Sequence, residues 1–265
     1  MRVIGSGNRN FNILGGVTAC TITIKLQHAL ELLETQTLSS FNSYMLDLFQ
    51  QAKEARSKSV QQLVKQADFN IAYTKLVDLI AKKIEHPKLI KLKEIVQSEL
   101  TSNPKTKIIV FAQYRDTVTK ICKTMNEIQG SNARVFVGQA KKGEGKNETG
   151  LSQKEQQEII REFSLGKINI LVATQIGEEG LDIPEVNAVI FYEPIPSAIR
   201  KIQRAGRTAR LMKGKLIMLI TKGTRDESYY WAAFHKEKQM YKAIDSIKQD
   251  FADNKNNKDK QERLF

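Results

Sequence analysis

Three arginines recur at every third position in the stretch Ile202 to Arg210, IQRAGRTAR, around Gly206. Guanidinium groups this close repel one another unless an anion sits between them, and the planar fork of arginine suits bidentate contact with phosphate. Arg204, Arg207 and Arg210 therefore point to a phosphate site or to a basic helix end lying on a nucleic-acid backbone, and spacing leaves both open. A second stretch, Leu171 to Glu193, reads LVATQIGEEGLDIPEVNAVIFYE. It has the pattern of a buried strand, a polar turn with Gly177 and Gly180, the acidic Asp182, then Pro184 and another buried strand. Thr174, at the strand's C-terminal end, can donate its hydroxyl to a phosphate, and a nearby glycine lets backbone approach a ligand closely. Alone, this stretch is equally an ordinary connection with turn glycines.

Positioning such residues needs a scaffold, and the chain changes texture along its length. From about Thr21 to Ile84 the pattern is helical: Leu26, Leu30 and Leu33 recur at i, i+4 and i+7, and Leu76, Leu79, Ile80 and Ile84 repeat the theme. His86-Pro87 then disfavours continued helix, because the proline ring clashes with a helical conformation at the residue before it. We place a domain boundary there: residues 1–86 as a helical domain, 87–250 as an α/β domain, 251–265 as a flexible tail.

Beyond the boundary, short β-branched runs alternate with amphipathic helices, as parallel strands joined by crossover helices require. The predicted strands are Lys107 to Phe111, Ala133 to Val137, Ile168 to Val172, Ala188 to Phe191 and Lys215 to Ile220. The predicted helices are Leu89 to Leu100, Arg115 to Ile128, Lys154 to Ser164 and Ser197 to Ala205. Loops at the carboxyl ends of such strands are favoured for ligand binding. Gln139 to Gly150 is expected to be a flexible loop.

Composition narrows the partners. The 265 residues carry 42 Lys+Arg against 29 Asp+Glu, a formal net charge of +13. Such a surface suits a polyanion, because neutralising phosphates releases counterions. Cys20 and Cys122 lie far apart, without metal-ligand spacing, which argues against a disulfide framework or a zinc site. No uninterrupted apolar run reaches the roughly 18 to 20 residues that span a bilayer. The expectation is an intracellular protein without a membrane partner, in the cytoplasm if archaeal and the nucleus if eukaryotic. His28, His86 and His235 share no motif with a carboxylate or cysteine. Tyr229, Tyr230 and Trp231 are read as packing a helix onto the α/β domain.

Taken together and in this order, the two functional stretches resemble motifs V and VI of superfamily 2 helicases, and Lys107 to Thr117, KIIVFAQYRDT, resembles motif IV. VGQ at Val137 to Gln139, the GLSQKEQQEII run from Gly150, EEGLDIP, YEPIPSAIRKIQRAGRTAR and TKGTRDESYYW bring the likeness closer to the Hef and FANCM branch. It covers about Ile84 to Lys242 well and the preceding helices more loosely. It implies a RecA-like parallel sheet with flanking helices, the helicase C-terminal lobe, preceded by an all-α insertion domain of thumb-like character.

The resemblance also implies roles. Arg207 and Arg210 match the motif VI arginines that reach a triphosphate, Arg210 at the finger position, and Gln203 matches the polar residue near the γ-phosphate. Asp182 matches the motif V acid beside the nucleotide sugar, with Gly180 and Arg204 in the same nucleotide-facing neighbourhood. Thr174 and Gly180 match positions facing a nucleic-acid backbone, and Gln113, Tyr114 and Arg115 match the motif IV neighbourhood. In the insertion, Lys53, Arg56, Lys58 and Lys65 are candidates for phosphate contacts; taken singly each is better explained by a solvated helix face, and the binding role attaches to the segment as a whole. Ala209 departs from the glycine that many relatives carry there.

No G-x-x-x-x-G-K-[ST] phosphate loop occurs: Gly138 to Gly143 is followed by Glu144, and Gly145-Lys146 by Asn147. A DEAH or DECH motif is absent as well. The expectation is a fragment whose N-terminal RecA-like partner lobe holds most of the ATP and Mg2+, with neither bound by this chain alone and no turnover by it. Forked or branched DNA is the expected partner, and sliding-clamp or repair partners stay unspecified. A double-stranded-RNA-directed relative, of the kind found in Dicer and innate-immune RNA sensors, and a stand-alone nucleic-acid-binding module are the alternatives. In a motor that carries both lobes, Arg210→Ala is expected to lower ATP turnover by about 10³ to 10⁵ while leaving DNA binding largely intact, as steady-state ATPase and fork-binding assays would read. Joint loss of both would remove the assigned role.

Overall fold

Pro87 begins a helix rather than ending one. His86 before it is extended, with φ −62° and ψ 137°, and its ring accepts the Lys88 amide. A proline in the first turn loses no intrahelical bond, because that N–H has no partner in any helix. The computed structural model describes residues 11–138, 150–174, 184–194 and 214–262. Within them, helices α1 (Phe11–Thr35), α2 (Leu38–Lys53), α3 (Lys58–Val64) and α4 (Ala67–Ala81) precede this point. After it come α5 (Pro87–Ser102), β1 (Ile108–Phe111), α6 (Arg115–Met125), β2 (Ala133–Phe136), α7 (Gln153–Ser164), β3 (Ile170–Ala173), β4 (Ala188–Phe191), β5 (Lys215–Met218) and α8 (Arg225–Glu262).

The five strands form one parallel sheet in the order β2-β3-β1-β4-β5, so the RecA-like α/β architecture expected from the sequence is present. Alternate residues of β1 serve opposite faces. Ile108 and Val110 pack with Leu89, Leu92 and Val96 of α5 and Val118 and Ile121 of α6, while Ile109 and Phe111 pack with Phe163 of α7. Strands covered on both faces read as continuous apolar runs, which is why they were visible in the sequence. Helix α7 opens with a reciprocal capping box, Ser152 to the Glu155 amide and Glu155 back to the Ser152 amide.

The helical unit has its own core, built on Leu32, Leu38, Phe41, Met45, Leu48, Val60, Leu63, Phe69 and Leu76. Three points about these helices go beyond the sequence reading. The stripe Leu26, Leu30, Leu33 is exposed at 44%, 50% and 41%, and the buried face of α1 carries Ala29 and Leu32. Helix α1 is apolar on several sides, so periodicity alone did not select the packed face. Second, the helical segment Ile13–Thr35, with mean hydropathy 1.2, is long and apolar enough by length and composition to cross a membrane. The hydroxyls of Thr18, Thr21 and Thr23 donate to carbonyls four residues back, so they do not break its apolar surface. Its C-terminal half nevertheless packs in the helical core and carries Lys25, His28, Glu31 and Glu34.

Third, Trp231 is 47% exposed and Phe234 42%, whereas Asp226 and Ala233, one heptad apart, are buried. Helix α8 thus packs on the lobe through the latter face and turns Trp231 outward. Helix α8 also continues through Glu262, across the stretch expected to be a flexible tail. Between Arg225 and Glu262 neither glycine nor proline interrupts it. The segment 139–149 and the helix expected at Ser197 to Ala205 lie outside the described residues.

The lobe is closed by a charge pair that cannot reach water. Lys88 Nζ of α5 lies 2.7 Å from Asp226 Oδ2 of α8, with side chains 5% and 1% exposed. The same carboxylate oxygen accepts the Thr221 amide at 3.0 Å, and the ammonium lies 4.8 Å from the centre of the Tyr192 ring. Burial lowers the Lys88 pKa and the Asp226 charge opposes that shift. Breaking such a pair strands one charge in the interior. Asp226→Ala is expected to cost about 3–5 kcal/mol in urea unfolding, and a loss below about 1 kcal/mol would show that the pair does not close the lobe.

Candidate nucleic-acid interface

The shared register of the strands decides which residues gather at one edge. Phe111 lies opposite both Ala173 and Phe191, and Ala173 lies opposite Phe136, so four strands end level. The residues that follow them are consequently neighbours: Val137 and Gly138 after β2, Thr174 after β3, Gln113 to Arg115 after β1, and Tyr192 and Glu193 after β4. The Thr174 amide donates to Phe136 O at 3.1 Å, which fixes its backbone at the rim, and its side chain is buried to 8% exposure. Gln113 is exposed, and Arg115 Nη2 reaches Gly138 O at 3.4 Å.

Tyr114 faces elsewhere. It is half-buried against the helical core, its ring centre 5.9 Å from that of His28. Burial, with the carboxylates of Glu31 and Glu193, pushes its pKa up to about 12. Packing between the two units accounts for this residue.

On the helical unit, Lys53 ends α2, Lys58 begins α3 and Lys65 follows α3; all three and Arg56 are exposed or half-exposed. Lys53 and Lys65 share the rim of a shallow pocket of about 350 Å³ with Phe49, Ala52, Gln61 and Val64. Arg56 is paired with Glu54. Two cations flanking an apolar floor can hold phosphates while sugar or base lies between them.

A carboxylate that the sequence reading did not single out joins the two regions. Glu193 is 6% exposed and its Oε1 accepts the Gln113 amide. Its Oε2 accepts Gln36 Nε2, from the α1–α2 junction, at 3.2 Å. Burial raises the Glu193 pKa to about 7, while Lys88 and the hydrogen bonds from Gln36 and Gln113 pull the other way and Asp226 adds to the rise. Nothing periodic marks such a residue, because its partner is 157 positions away.

This arrangement has counterparts in known proteins. Residues 87–212 match the family model described as "Helicase conserved C-terminal domain", and residues 5–79 match "Putative ATP-dependent RNA helicase, helical bundle". The crystal structure of the Pyrococcus furiosus Hef helicase domain is 43% identical, with a TM-score of 0.68, over 87% of this chain and 45% of that one. The chain belongs to the Hef and FANCM family of superfamily 2 helicases. Among curated relatives, a "Putative ATP-dependent RNA helicase" of Methanocaldococcus jannaschii is 45% identical over 87% of this chain. The ATP-dependent DNA helicase mph1 of Sclerotinia sclerotiorum is 34% identical over 84% of it. This chain spans 28% and 19% of those two proteins.

Of the Hef-like motif residues, Gly180, Asp182, Gln203, Arg204, Arg207 and Arg210 lie outside the described residues. The described part of the lobe holds Gln113, Tyr114, Arg115 and Thr174 of that set. Among the described residues no cluster of His, Cys, Asp or Glu could hold a metal ion.

The Glu193 pKa has a measurable consequence. Folding raises it from its ordinary 4.5 to about 7, so the folded state holds a proton that the unfolded chain has released between those values. The stability this contributes is fully present below the lower value and is lost as pH rises through the upper one. The difference in urea stability between the wild type and Glu193→Gln is therefore expected to move against the wild type between about pH 5 and about pH 8. A difference that stays flat with pH would show that Glu193 titrates normally.

Proposed function

We propose that this chain supplies the helical insertion and second motor lobe of an ATP-dependent DNA helicase or translocase acting on forked or branched DNA, in repair or fork restart. The observation that carries this reading is the joining of two surfaces. The rim holding Gln113 and Thr174 and the insertion holding Lys53, Lys58 and Lys65 belong to units fastened by buried hydrogen bonds, so one nucleic acid can be held by both in a fixed relation. The likeness to a Hef helicase domain and to mph1 supports DNA, and the net charge of +13 supports a polyanion.

In this reading Arg207 and Arg210, with Gln203, meet the triphosphate of an ATP whose Mg2+ is held mainly by the N-terminal RecA-like lobe. Asp182, Gly180 and Arg204 line the nucleotide side of the cleft. Their contribution is electrostatic: fixed positive charge stabilises what develops on the transferring phosphoryl group. Thr174, Gln113 and Arg115 meet the backbone along the strand edge, Tyr114 being held in the packing between the two units, and the insertion cations add contacts to the second arm of a junction. Sequence by itself is not read, because phosphate contacts position without specifying bases.

A second reading has one specific observation in its favour: two of the matched descriptions name an RNA helicase. Binding of this chain to a DNA fork, a linear DNA duplex and the same fork in RNA, titrated against salt beside an ATPase assay, separates the cases. The DNA fork is expected to bind tightest, with no ATP turnover. Lys53→Ala with Lys65→Ala is expected to weaken fork binding and lower the salt slope by about 2. Equal binding of the DNA and RNA forks would favour the RNA-directed reading, and equal binding of all three would remove the case for junctions.

A further inference from the structure

While Glu193 is ionised, above about pH 7, the hydrogen bonds running from the helical unit to it have a fixed direction, which follows from the chemistry of each group. Gln36 spends its amino group on the Glu193 carboxylate, which accepts only, so its Oε1 is left to accept Thr117 Oγ1 at 2.9 Å. Thr117 has one proton and has used it. The 2.7 Å contact between Ser40 Oγ and Thr117 Oγ1 must then run from Ser40. By the same count the 2.9 Å contact between Thr37 Oγ1 and Ser40 Oγ runs from Thr37. Thr37, Ser40, Thr117, Gln36 and Glu193 are all buried, and the chain passes from the helical unit to α6, back to the α1–α2 junction and onto β4's end.

We propose that Glu193 is a positioning residue that acts through Gln113. It ends this one-way chain on one oxygen and holds the Gln113 amide on the other, fixing the insertion against the strand edge that bears Gln113 and Thr174. The inference rests on the helicase reading for its functional meaning and on this geometry alone for its existence. A buried N–H or amide left without its acceptor loses far more than one ordinary bond contributes, so the two units hold one mutual orientation while the chain is complete. Neighbouring contacts brace the same joint. Arg225 of α8 lies 2.9 Å from Glu31, and His86 Nε2 donates to Glu34 O at 3.0 Å.

The geometry makes a specific forecast for the conservative change. The Glu193→Gln side chain still offers one oxygen to the Gln113 amide, and its amino group can be accommodated if Gln36 flips and every hydroxyl in the chain turns round. The introduced amino group would then donate to Gln36, Gln36 to Thr117, Thr117 to Ser40 and Ser40 to Thr37. Alanine offers nothing to either side.

Amide hydrogen exchange on the full chain tests this. Glu193→Ala is expected to speed exchange at Gln113 and across residues 35 to 41 by about tenfold or more, and Glu193→Gln is expected to restore both to within about threefold of the wild type. Gln36→Ala, which alters only the helical unit, serves if Glu193→Ala does not fold. It is expected to speed exchange across residues 35 to 41 while the amides of β1 and β4 stay protected. Fork binding should follow the same order, with Glu193→Gln like the wild type and Gln36→Ala weakened. Unchanged exchange in Glu193→Ala and Gln36→Ala, uniform loss over the whole lobe, or a Glu193→Gln that behaves as the alanine variant would overturn the proposal. Restored exchange without any fork preference would keep the clamp and reject the junction reading alone.

Discussion

A charge placed where water cannot follow must find its solvation inside the protein, and three such groups meet where the helical unit, α5, α8 and the end of β4 converge. Lys88 is answered by Asp226 at 2.7 Å, and Glu193 is answered by a backbone amide from one unit and a side-chain amide from the other. Apolar surface alone tolerates sliding, because its attraction depends on area rather than direction. Buried polar groups do not, since a displacement of an ångström leaves donors and acceptors unmet. The directional bonds therefore decide how two cores that could each fold around their own apolar residues are placed with respect to each other. Cores of this kind supply cohesion, and the polar seam supplies the angle.

The sheet extends that placement to the rim. Because all neighbours are parallel and in step, the end of each strand is fixed relative to the end of the next, and a constraint applied at Glu193 after β4 is felt at Gln113 after β1. Thr174 lies one strand further along, held through the Ala112 amide on Ala173 O and its own amide on Phe136 O. A bond from Gln36 thus reaches the candidate nucleic-acid edge without passing through any flexible segment.

Much of this scaffold was legible in the sequence, for identifiable reasons. Buried parallel strands must be apolar on both faces, so IIVF, ILVA and AVIF stand out as runs. Pro87 is legible as a helix start because a proline in the first turn gives up no intrahelical bond. Helix α1 was legible as a helix but not in its phase, since Leu26, Leu30 and Leu33 compete with Ala29 and Leu32 for the inner face. Trp231 misled because an aromatic side chain suggests burial, while the α8 face is chosen by Asp226 and Ala233. Glu193 and Gln36 could not be seen at all: each looks like an ordinary surface residue until the fold brings them together.

The passage between the units, residues 82 to 86, is short, and His86 and Pro87 stiffen its end. Five residues bridging two bodies reach only about 17 Å at full extension, so the partners of the interface bonds stay close to one another even when the seam is open. Such tethering acts as a high effective concentration, on the order of millimolar for short linkers, so reclosure is a unimolecular event that does not forfeit translational freedom. The seam can therefore be built from a few modest bonds and still be closed nearly all the time.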